Sequence, residues 1–236
     1  MTTPAFWLVI PAAGIGSRMQ AHCPKQYLSV AGKTILELTF ECFLEHPSVR
    51  GIVVALAEND SWWGQLGLAS DPRIQTVQGG AERADSVLQA LLVVQEMGAQ
   101  PDDWVLVHDA ARPLLKRSDL DRLLSSLAND PVGGLLAVPA RDTLKQVDAN
   151  GRVLKTIDRA VIWQALTPQM FRFGLLQRTL ADALQAAVAV TDESSAMEWA
   201  GFAPRLIEGC SSNIKITRPE DLQLLQAQYA CNPTGV

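Results

Sequence analysis

The feature that most constrains this chain is the alternation of short apolar runs with longer amphipathic stretches. Such runs are typical of strands that are buried on both faces of a parallel sheet. The predicted strands are Phe6–Pro11, Gly51–Leu56, Arg73–Val77, Trp104–His108 and Gly133–Ala140. The predicted helices are Ile35–Glu45, Glu82–Met97 and Ser118–Ala128, the last with Ser118 as its N-cap. This order predicts an α/β fold with a doubly wound, mostly parallel, Rossmann-like sheet.

One segment breaks the alternation. Between Asp142 and Asp158, apolar and polar residues alternate on both sides of Asn150-Gly151, which is the commonest sequence of a two-residue hairpin turn. The pattern predicts a protruding antiparallel β-hairpin. Because a two-stranded ribbon is marginal by itself in water, we expect this hairpin to pack against another surface, such as a second subunit.

The last third of the chain returns to helices. The predicted elements there are helices at Leu175–Val188 and Glu193–Trp199, a short strand at Asn213–Thr217, and a final helix with Pro219 in its first turn. A length of 236 residues suits one α/β domain. We therefore expect a single domain over residues 1–236, in which residues 140–160 form a hairpin arm for dimerisation.

The charge and composition of the chain exclude several classes of function. A net charge of -5 argues against broad electrostatic binding of nucleic acid or of anionic lipid. No segment approaches the roughly 18 apolar residues of a membrane span, and the N-terminus lacks the basic start of a signal peptide. The four cysteines are widely spaced and predict neither a zinc site nor a disulfide framework. We expect a soluble, cytoplasmic protein.

The first predicted strand runs directly into the string PAAGIGSRM, from Pro11 to Met19. Small residues let backbone N–H groups approach a ligand, so a phosphate or a nucleotide is the expected guest. A dinucleotide fingerprint would need a third glycine at Met19, and a P-loop would need Gly-Lys-Ser/Thr, which is missing. A plain connecting turn is the remaining alternative. Arg18 and Lys25 argue against it, because they place two cations beside one loop of an acidic protein.

Two further strings follow predicted strands. GGAERADSV opens a helix, and its backbone amides and the Ser86 hydroxyl suit a nucleobase edge and a ribose, although a capped helix start is the simpler alternative. VHDAARP places Asp109 and Arg112 at the carboxyl end of a strand, where open α/β sheets bind ligands. We expect Asp109 to accept substrate hydroxyls or to help hold a metal.

Taken together, the ordered strings resemble the 2-C-methyl-D-erythritol 4-phosphate cytidylyltransferase family of the non-mevalonate isoprenoid pathway. The resemblance runs from about Val9 to Asp221, and it departs from the family where Ala81 and Ser17 replace an acidic residue and a second arginine of some members. The strings are PAAGIGSRM, PKQY, GGAERADSV, VHDAARP, RDTLK, IDR, WQALTPQ, TDESSA and NIKITRPED. The resemblance implies an enzyme with a nucleotidyltransferase fold.

The resemblance also implies roles for particular residues. The residues expected to line the CTP site are Pro11, Ala12, Ala13, Gly14, Gly16, Gly80, Arg83 and Ser86. Arg18, Lys25 and Lys215 are expected on the phosphates as the catalytic cations. The acceptor, methylerythritol phosphate, is expected between Asp109, Arg112 and Thr167 of one subunit and Thr143 and Arg159 of its partner. The family resemblance therefore implies an obligate homodimer with shared sites.

The implied reaction needs little acid–base chemistry. A phosphate monoester is mostly dianionic at pH 7, so the attacking oxygen requires no base, and fixed cations with Mg²⁺ or another divalent cation would offset the charge. We expect the metal to be held through CTP phosphates, with Asp109 as a possible ligand. The rival hypotheses are a nucleotidyltransferase with another acceptor, a catalytically silent nucleotide-binding module, and a Rossmann dehydrogenase, which lacks support because its third glycine is missing.

Overall fold

A computed structural model describes residues 3–14, 16, 19 and 22–231 of the chain. In chain order, strands β1 to β11 are Phe6–Pro11, Ser29–Val30, Lys33–Thr34, Val49–Leu56, Ile74–Gln78, Trp104–Val107, Gly133–Pro139, Leu144–Val147, Val153–Ile157, Trp163–Arg172 and Arg205–Glu208. Helices α1 to α6 are Ile35–Leu44, Arg83–Glu96, Arg117–Leu127, Phe173–Gln185, Glu193–Trp199 and Pro219–Cys231. Each predicted helix is present, with its ends shifted by a few residues at most.

The main sheet has seven strands in the order β11-β7-β10-β6-β1-β4-β5. Strands β6, β1, β4 and β5 run parallel to one another, and β11 runs parallel to β7. Strand β10 runs antiparallel to both of its neighbours, β6 and β7. The predicted doubly wound, mostly parallel sheet is therefore confirmed, and the carboxyl ends of β1, β5 and β6 meet at one edge.

The core lies on both faces of this sheet because successive strand residues point to opposite sides. In β1, Phe6, Leu8 and Ile10 pack in one cluster with α1 and α3, whereas Trp7 and Val9 pack in a second cluster with α2, α4 and α5. Each large apolar side chain that is fully buried contributes roughly 2 kcal/mol to folding. This double burial explains why β1 is a continuous apolar run in the sequence.

Strand β10 was not predicted, because Pro168 lies inside it and a proline argues against a central strand. The structure accommodates Pro168 at an irregularity of the pairing with β7, between Ala165 and Gln169. After the irregularity, β10 pairs with β7 again and also with β6 on its other side.

The strand predicted at Asn213–Thr217 is wrong. This segment makes isolated bonds instead of a ladder: the Ile216 N–H donates to the Ala111 carbonyl at 2.8 Å, and the Asn213 carbonyl accepts from Arg112. The edge strand of this region is β11, which the sequence prediction missed. Only Ile207 of β11 is buried, so the strand has no clear apolar alternation.

The N-cap prediction for α3 is also wrong. The helix begins one residue earlier, and the N–H groups of Asp119 and Leu120 both donate to the Lys116 carbonyl, so Ser118 lies inside the first turn. By contrast, α1 starts at the predicted residue. There Thr34 and Glu37 form a reciprocal capping box that satisfies two backbone N–H groups.

Strands β8 and β9 form the predicted antiparallel hairpin as a separate two-stranded sheet. Its turn is not the predicted two-residue type. The Asp148 N–H donates to the Arg152 carbonyl, which leaves a loop of Ala149, Asn150 and Gly151, and Gly151 has the left-handed φ of +77° that such loops require. The Asp148 carboxylate further fixes the loop by accepting from the N–H groups of Asn150 and Arg152.

In the part of the chain that the structure describes, no helix combines the length and the apolar character that crossing a membrane requires.

Candidate active site

A cavity of about 320 Å³ lies at the sheet edge where β1, β5 and β6 end. Three loops build it, because the carboxyl ends of parallel strands converge at such an edge. The lining residues are Pro11, Ala12, Ala13, Gly14, Gly16, Lys25, Gln26, Gly80, Ala81, Glu82, Arg83, Ser86, Asp109, Ala110, Ala111 and Lys215. The structure thus brings together every residue predicted for the CTP site, together with Lys25, Lys215 and Asp109.

The glycine turn after β1 is shaped by two neighbours. Gly16 has a left-handed φ of +64°, and a Cβ atom there would lie 2.9 Å from Cγ of Lys25. The Gln26 side chain, which is 3% exposed, donates from Nε2 to the carbonyls of Ala12 at 2.7 Å and Gly14 at 3.2 Å. Gln26 was not predicted as a site residue, although it belongs to the PKQY string. By bonding two carbonyls of the glycine turn, Gln26 fixes the backbone of that turn.

The second glycine loop packs directly against the first. A Cβ atom at Gly79 would lie 2.5 Å from Cβ of Ala13, so only glycine permits this approach. The Ser86 hydroxyl accepts from the Gly80 N–H and donates to the Glu82 carbonyl, both at 3.1 Å. Ser86 therefore stabilises the loop that lines the cavity.

Two of the three predicted catalytic cations, Lys25 and Lys215, line the cavity at different positions. Lys25 Nζ donates to the Ile216 carbonyl at 2.9 Å, which ties the PKQY segment to the segment before α6. Lys215 Nζ lies 3.0 Å from Oδ2 of Asp109. Arg18 lies outside the described residues. The cavity wall therefore carries the positive charges of Lys25 and Lys215.

Asp109 is the most heavily paired acid of the site. Its Oδ1 accepts from Nε of Arg83 at 3.2 Å, and its Oδ2 accepts from Nε of Arg112 at 3.1 Å and lies near Lys215. Burial acts to raise the pKa of Asp109, but the charges of Arg83, Lys215 and Arg112 outweigh it and hold this pKa well below its usual range. Asp109 is an anion throughout the physiological range.

Beneath Asp109 a buried histidine organises the backbone. His108 is fully buried, with Nδ1 at 2.9 Å from the Thr167 hydroxyl and Nε2 at 3.1 Å from the Arg112 carbonyl. The Thr167 hydroxyl also accepts from the Asp109 N–H at 3.1 Å. Burial lowers the pKa of His108 to about 4, so the ring is neutral at pH 7. A proton on Nε2 satisfies all these bonds, because Thr167 then donates to Nδ1 and the ring donates to the carbonyl.

Two other polar residues near this group were not predicted. Asn213 is buried and donates from Nδ2 to the Thr167 carbonyl at 2.8 Å, while its backbone carbonyl accepts from Arg112 at 2.7 Å. Glu193 is also buried and binds the Arg83 guanidinium through both carboxylate oxygens. Both belong to strings noted in the sequence, NIKITRPED and TDESSA, but neither residue type is distinctive by itself.

Thr143 and Arg159, which were predicted on the acceptor side, lie on the hairpin region and are exposed. The Arg159 guanidinium donates to the Arg141 carbonyl. Neither residue lines the cavity of its own chain. Arg112 and Thr167 do not line the cavity either, but both contact Asp109, which does.

The donor set of the cavity does not form an all-protein metal site. Among residues 3–14, 16, 19 and 22–231, no cluster of three or more His, Cys, Asp or Glu side chains is arranged to hold a metal ion. Both oxygens of Asp109 already contact cations. A divalent ion fits here only if phosphate and water oxygens supply most of its ligands, which is the preference of Mg²⁺.

Comparison with known proteins gives a consistent result. The family model of 2-C-methyl-D-erythritol 4-phosphate cytidylyltransferase matches residues 6–230. A protein of that name from Pseudomonas aeruginosa is 66% identical over 232 residues, which cover 97% of this chain and 99% of the relative. Another from Pseudomonas fluorescens is 65% identical over 226 residues and covers 96% of each chain.

Solved structures agree with the sequence relatives. The crystal structure of the 2-C-methyl-D-erythritol 4-phosphate cytidylyltransferase of Francisella tularensis has a TM-score of 0.81 at 37% identity, covering 95% of this chain and 99% of that one. The corresponding structure from Thermus thermophilus has a TM-score of 0.78 at 28% identity, covering 98% and 100%. Both similarities cover nearly the whole chain.

Proposed function

The chain belongs to the 2-C-methyl-D-erythritol 4-phosphate cytidylyltransferase family, and we propose that the cavity at the ends of β1, β5 and β6 is its active site. The enzyme transfers CMP from CTP to 2-C-methyl-D-erythritol 4-phosphate and releases pyrophosphate, a step of the non-mevalonate isoprenoid pathway. The observation that carries the site assignment is that one cavity joins the glycine turn, Lys25, Lys215 and Asp109.

CTP occupies the glycine-rich side of the cavity in this proposal. The residues assigned to it are Pro11, Ala12, Ala13, Gly14, Gly16, Gly80, Arg83 and Ser86, all of which line the cavity. Their small side chains expose backbone N–H groups to a nucleotide. Because Ser86 already bonds within its loop, its assigned role is to fix the backbone that meets the base.

The reaction proceeds by in-line attack on the α-phosphorus. A phosphate oxygen of the acceptor forms the new P–O bond, the bond from the α-phosphorus to the bridging oxygen breaks, and pyrophosphate leaves with that electron pair. No proton transfer is required, because the attacking phosphate is mostly dianionic at pH 7. We assign Lys25, Lys215 and Arg18 to stabilise the charge that develops on the phosphates.

The acceptor is placed against Asp109, Arg112 and Thr167. The carboxylate of Asp109 is held by three cations in a fixed orientation, which suits it to accept substrate hydroxyls. The side chain of Thr167 is already hydrogen-bonded to His108 and to the Asp109 backbone, so we assign it mainly to shape this side of the site. Thr143 and Arg159 of a second copy complete the acceptor site in this proposal.

A homodimer is the assembly that this shared site requires. We propose that 1–236 form one domain and that 140–160 form the dimerisation arm. Support comes from the apolar side chains that the hairpin region exposes, which in a single chain remain in contact with water. They are Val147, Val153, Leu154, Val161 and Trp163, with exposures of 49%, 60%, 62%, 76% and 38%.

The shared site can be tested by subunit complementation. An Arg159→Ala chain and a Lys25→Ala chain are co-expressed with different affinity tags, and heterodimers are isolated by two purification steps. We expect each homodimer to be nearly inactive and the heterodimer to regain up to half of the wild-type activity, because one of its two sites is intact. Isolated heterodimers without recovered turnover would remove the shared-site model.

Mg²⁺ is proposed to bind through the phosphates of CTP, with Asp109 as a neighbour rather than its main ligand. The ion would offset part of the triphosphate charge when bound. We also propose that the enzyme works in the cytoplasm, and the unpaired thiols of Cys23, Cys42 and Cys210 support a reducing compartment. Metal titration of CTP turnover and cell fractionation test these two statements.

The activity itself is tested by pyrophosphate release. Purified enzyme with Mg²⁺ receives CTP, with or without methylerythritol phosphate, and UTP replaces CTP in a parallel series. We expect release only when CTP and methylerythritol phosphate are both present. Turnover with a sugar 1-phosphate or a sugar acid instead would assign a different acceptor, and CTP binding without turnover on any acceptor would indicate a silent nucleotide-binding module.

A further inference from the structure

Glu193 is a buried acid that the proposed reaction does not use directly. Its side chain is 1% exposed, and its two oxygens accept from Nη1 and Nη2 of Arg83 at 2.7 and 3.1 Å. Such a two-point contact fixes both the position and the plane of a guanidinium group. Glu193 does not line the cavity, whereas Arg83 does.

The backbone that presents Glu193 is itself anchored to the sheet. Gln169 in β10 donates from Nε2 to the Asp192 carboxylate at 2.8 Å, and its Oε1 accepts from the Ser194 N–H at 2.8 Å. The Asp192 carboxylate also caps α5 by accepting from the Ser195 N–H. Glu193 thus lies between two residues that Gln169 holds in place, so its backbone position is fixed.

Arg83 connects Glu193 to Asp109, which lies on the proposed acceptor side. Its Nε donates to Oδ1 of Asp109, so three of the five N–H groups of an arginine are committed to carboxylates. Asp109 continues the chain of charges to Arg112 and Lys215 through its other oxygen. Three cations face two carboxylates, which leaves one positive charge in excess beside the site for anionic substrates.

We propose that Glu193 is a positioning residue, which acts through Arg83 to hold the carboxylate of Asp109 in the orientation that the acceptor requires. The proposal rests on the function proposed above. With Glu193 in place, Arg83 is shared between two carboxylates and cannot turn to pair with Asp109 alone. Without it, Asp109 is the remaining carboxylate partner of Arg83 in this group, and the two side chains rearrange around each other. The acceptor then meets a misplaced carboxylate, while the glycine loops, which supply most of the residues assigned to CTP, are unchanged.

The direct test compares Glu193→Gln with Glu198→Gln. Glutamine keeps the size of Glu193 but replaces one oxygen by an NH₂ group that cannot accept from Arg83. We expect KM for methylerythritol phosphate to rise about tenfold and kcat to fall about tenfold, since small misplacements of a reacting group cost this much or more. KM for CTP should change less, by about threefold, because Arg83 is the one residue assigned to CTP that Glu193 contacts. Glu198, an exposed residue of α5 bonded to Ser194, is the matched control and should behave as wild type.

A second pair of variants covers the case in which Glu193→Gln does not fold, as removal of one partner of a buried ion pair can have this effect. Arg83→Met is compared with the charge-free pair Arg83→Met/Glu193→Leu. Because Glu193 acts through Arg83, its removal from the Arg83→Met protein should cause no further loss of kcat/KM for the acceptor. A further tenfold loss in the double variant would overturn the proposal, because Glu193 would then act by another route.

The wild-type protein separates failure of this proposal from failure of the proposed function. If wild type releases no pyrophosphate from CTP and methylerythritol phosphate, the function itself is wrong. If wild type turns over and folded Glu193→Gln retains its KM for the acceptor and its kcat, only the positioning role is refuted. A loss of kcat in proportion to the unfolded fraction, with both KM values unchanged, would likewise refute it and leave Glu193 as a purely structural residue.

Discussion

The sheet edge around the cavity and the hairpin of β8 and β9 contrast in how their side chains are paired. At the sheet edge, Asp109 is buried among three cations, and His108 has hydrogen bonds at both ring nitrogens. On the hairpin, Val153 and Leu154 are 60% and 62% exposed. One chain therefore pairs Asp109 and His108 within itself but leaves the apolar surface of the hairpin in water. This contrast indicates that the two regions will respond differently to substitution.

The largest expected effect is on the cavity side, at Lys25. Lys25→Ala should lower kcat about a hundredfold, because a fixed cation aimed at developing phosphate charge is lost. Its hydrogen bond to the Ile216 carbonyl is worth roughly 2 kcal/mol, less than the free energy of unfolding of a typical domain, so the variant should still fold. Pyrophosphate release at saturating substrates and urea unfolding measure the two quantities. Lys33→Ala, which changes a 58% exposed side chain, is the control, and wild-type turnover by folded Lys25→Ala would contradict the role.

A second prediction concerns the pH dependence of stability, which should come from buried His108 and not from the hairpin. Burial lowers the pKa of His108 to about 4 from its usual 6.5. Between these two pH values, His108 is protonated in the unfolded chain but neutral in the folded chain. The free energy of unfolding should therefore fall by about 2 kcal/mol between pH 6.5 and pH 5 from this residue. His46, whose pKa burial also lowers, adds to the fall in the same direction.

The measurement is urea unfolding at both pH values for wild type and His108→Gln. The variant should be less stable at pH 6.5 but should lose less stability on acidification, because it lacks the titrating ring. His22→Gln, which changes an exposed histidine, is the matched control. Equal losses in wild type and His108→Gln would show that His108 does not contribute to the pH dependence.

A third prediction concerns the exposed apolar surface of the hairpin and its role in dimerisation. Leu154→Lys places a charge on exposed surface, so the fold of one chain should be unaffected. If the hairpin packs against a partner, burying this charge should weaken the dimer at least about tenfold. Sedimentation velocity and specific activity over a dilution series measure both effects. Leu224→Lys places the same charge at a 61% exposed leucine of α6, outside the hairpin, and should match wild type. Unchanged association of Leu154→Lys would exclude this surface from the interface.

The smallest effect is expected at the hairpin turn. Gly151 has a φ of +77°, with nothing within 4 Å of a Cβ atom, so Gly151→Ala should cost only about 1 kcal/mol locally. Turnover should stay within about threefold of wild type, since that strain lies far from the reacting groups. Gly16→Ala is the contrasting variant, because its Cβ atom would press on Lys25 at 2.9 Å and should lower turnover about tenfold. Wild-type turnover by Gly16→Ala would show that the cavity tolerates this displacement.

Much of the sheet was predictable because burial on both faces leaves a plain apolar signal. Strand β1 was predicted with its correct bounds, and α5 was predicted as Glu193–Trp199. Strand β10 was missed because Pro168 suggests a break, and only the neighbouring strands reveal that pairing resumes beyond it. Residues of Asn213–Thr217 look like a strand locally, but their backbone is used to hold Ala111 and Arg112.

The site shows the same division. The residues assigned to CTP follow one another along two loops, so their strings and the family resemblance identified them together. Gln26 and Glu193 act at a distance that no local pattern encodes: Gln26 supports the glycine turn from below, and Glu193 reaches Arg83 from a helix start 110 residues away. Thr143 and Arg159 remain predictions for the acceptor site, because one chain does not bring them to the cavity.

The sequence by itself determined the alternating order of strands and helices, the glycine turn, the cations beside it and the family, because each depends on residue types at short spacing. The tertiary structure decided the antiparallel direction of β10, the pairing of Asp109 with three cations and the neutral state of His108. These depend on groups that are far apart in the chain and on exclusion of water around them. Burial changes the free energy of charges and hydrogen bonds only when the packed neighbours are known.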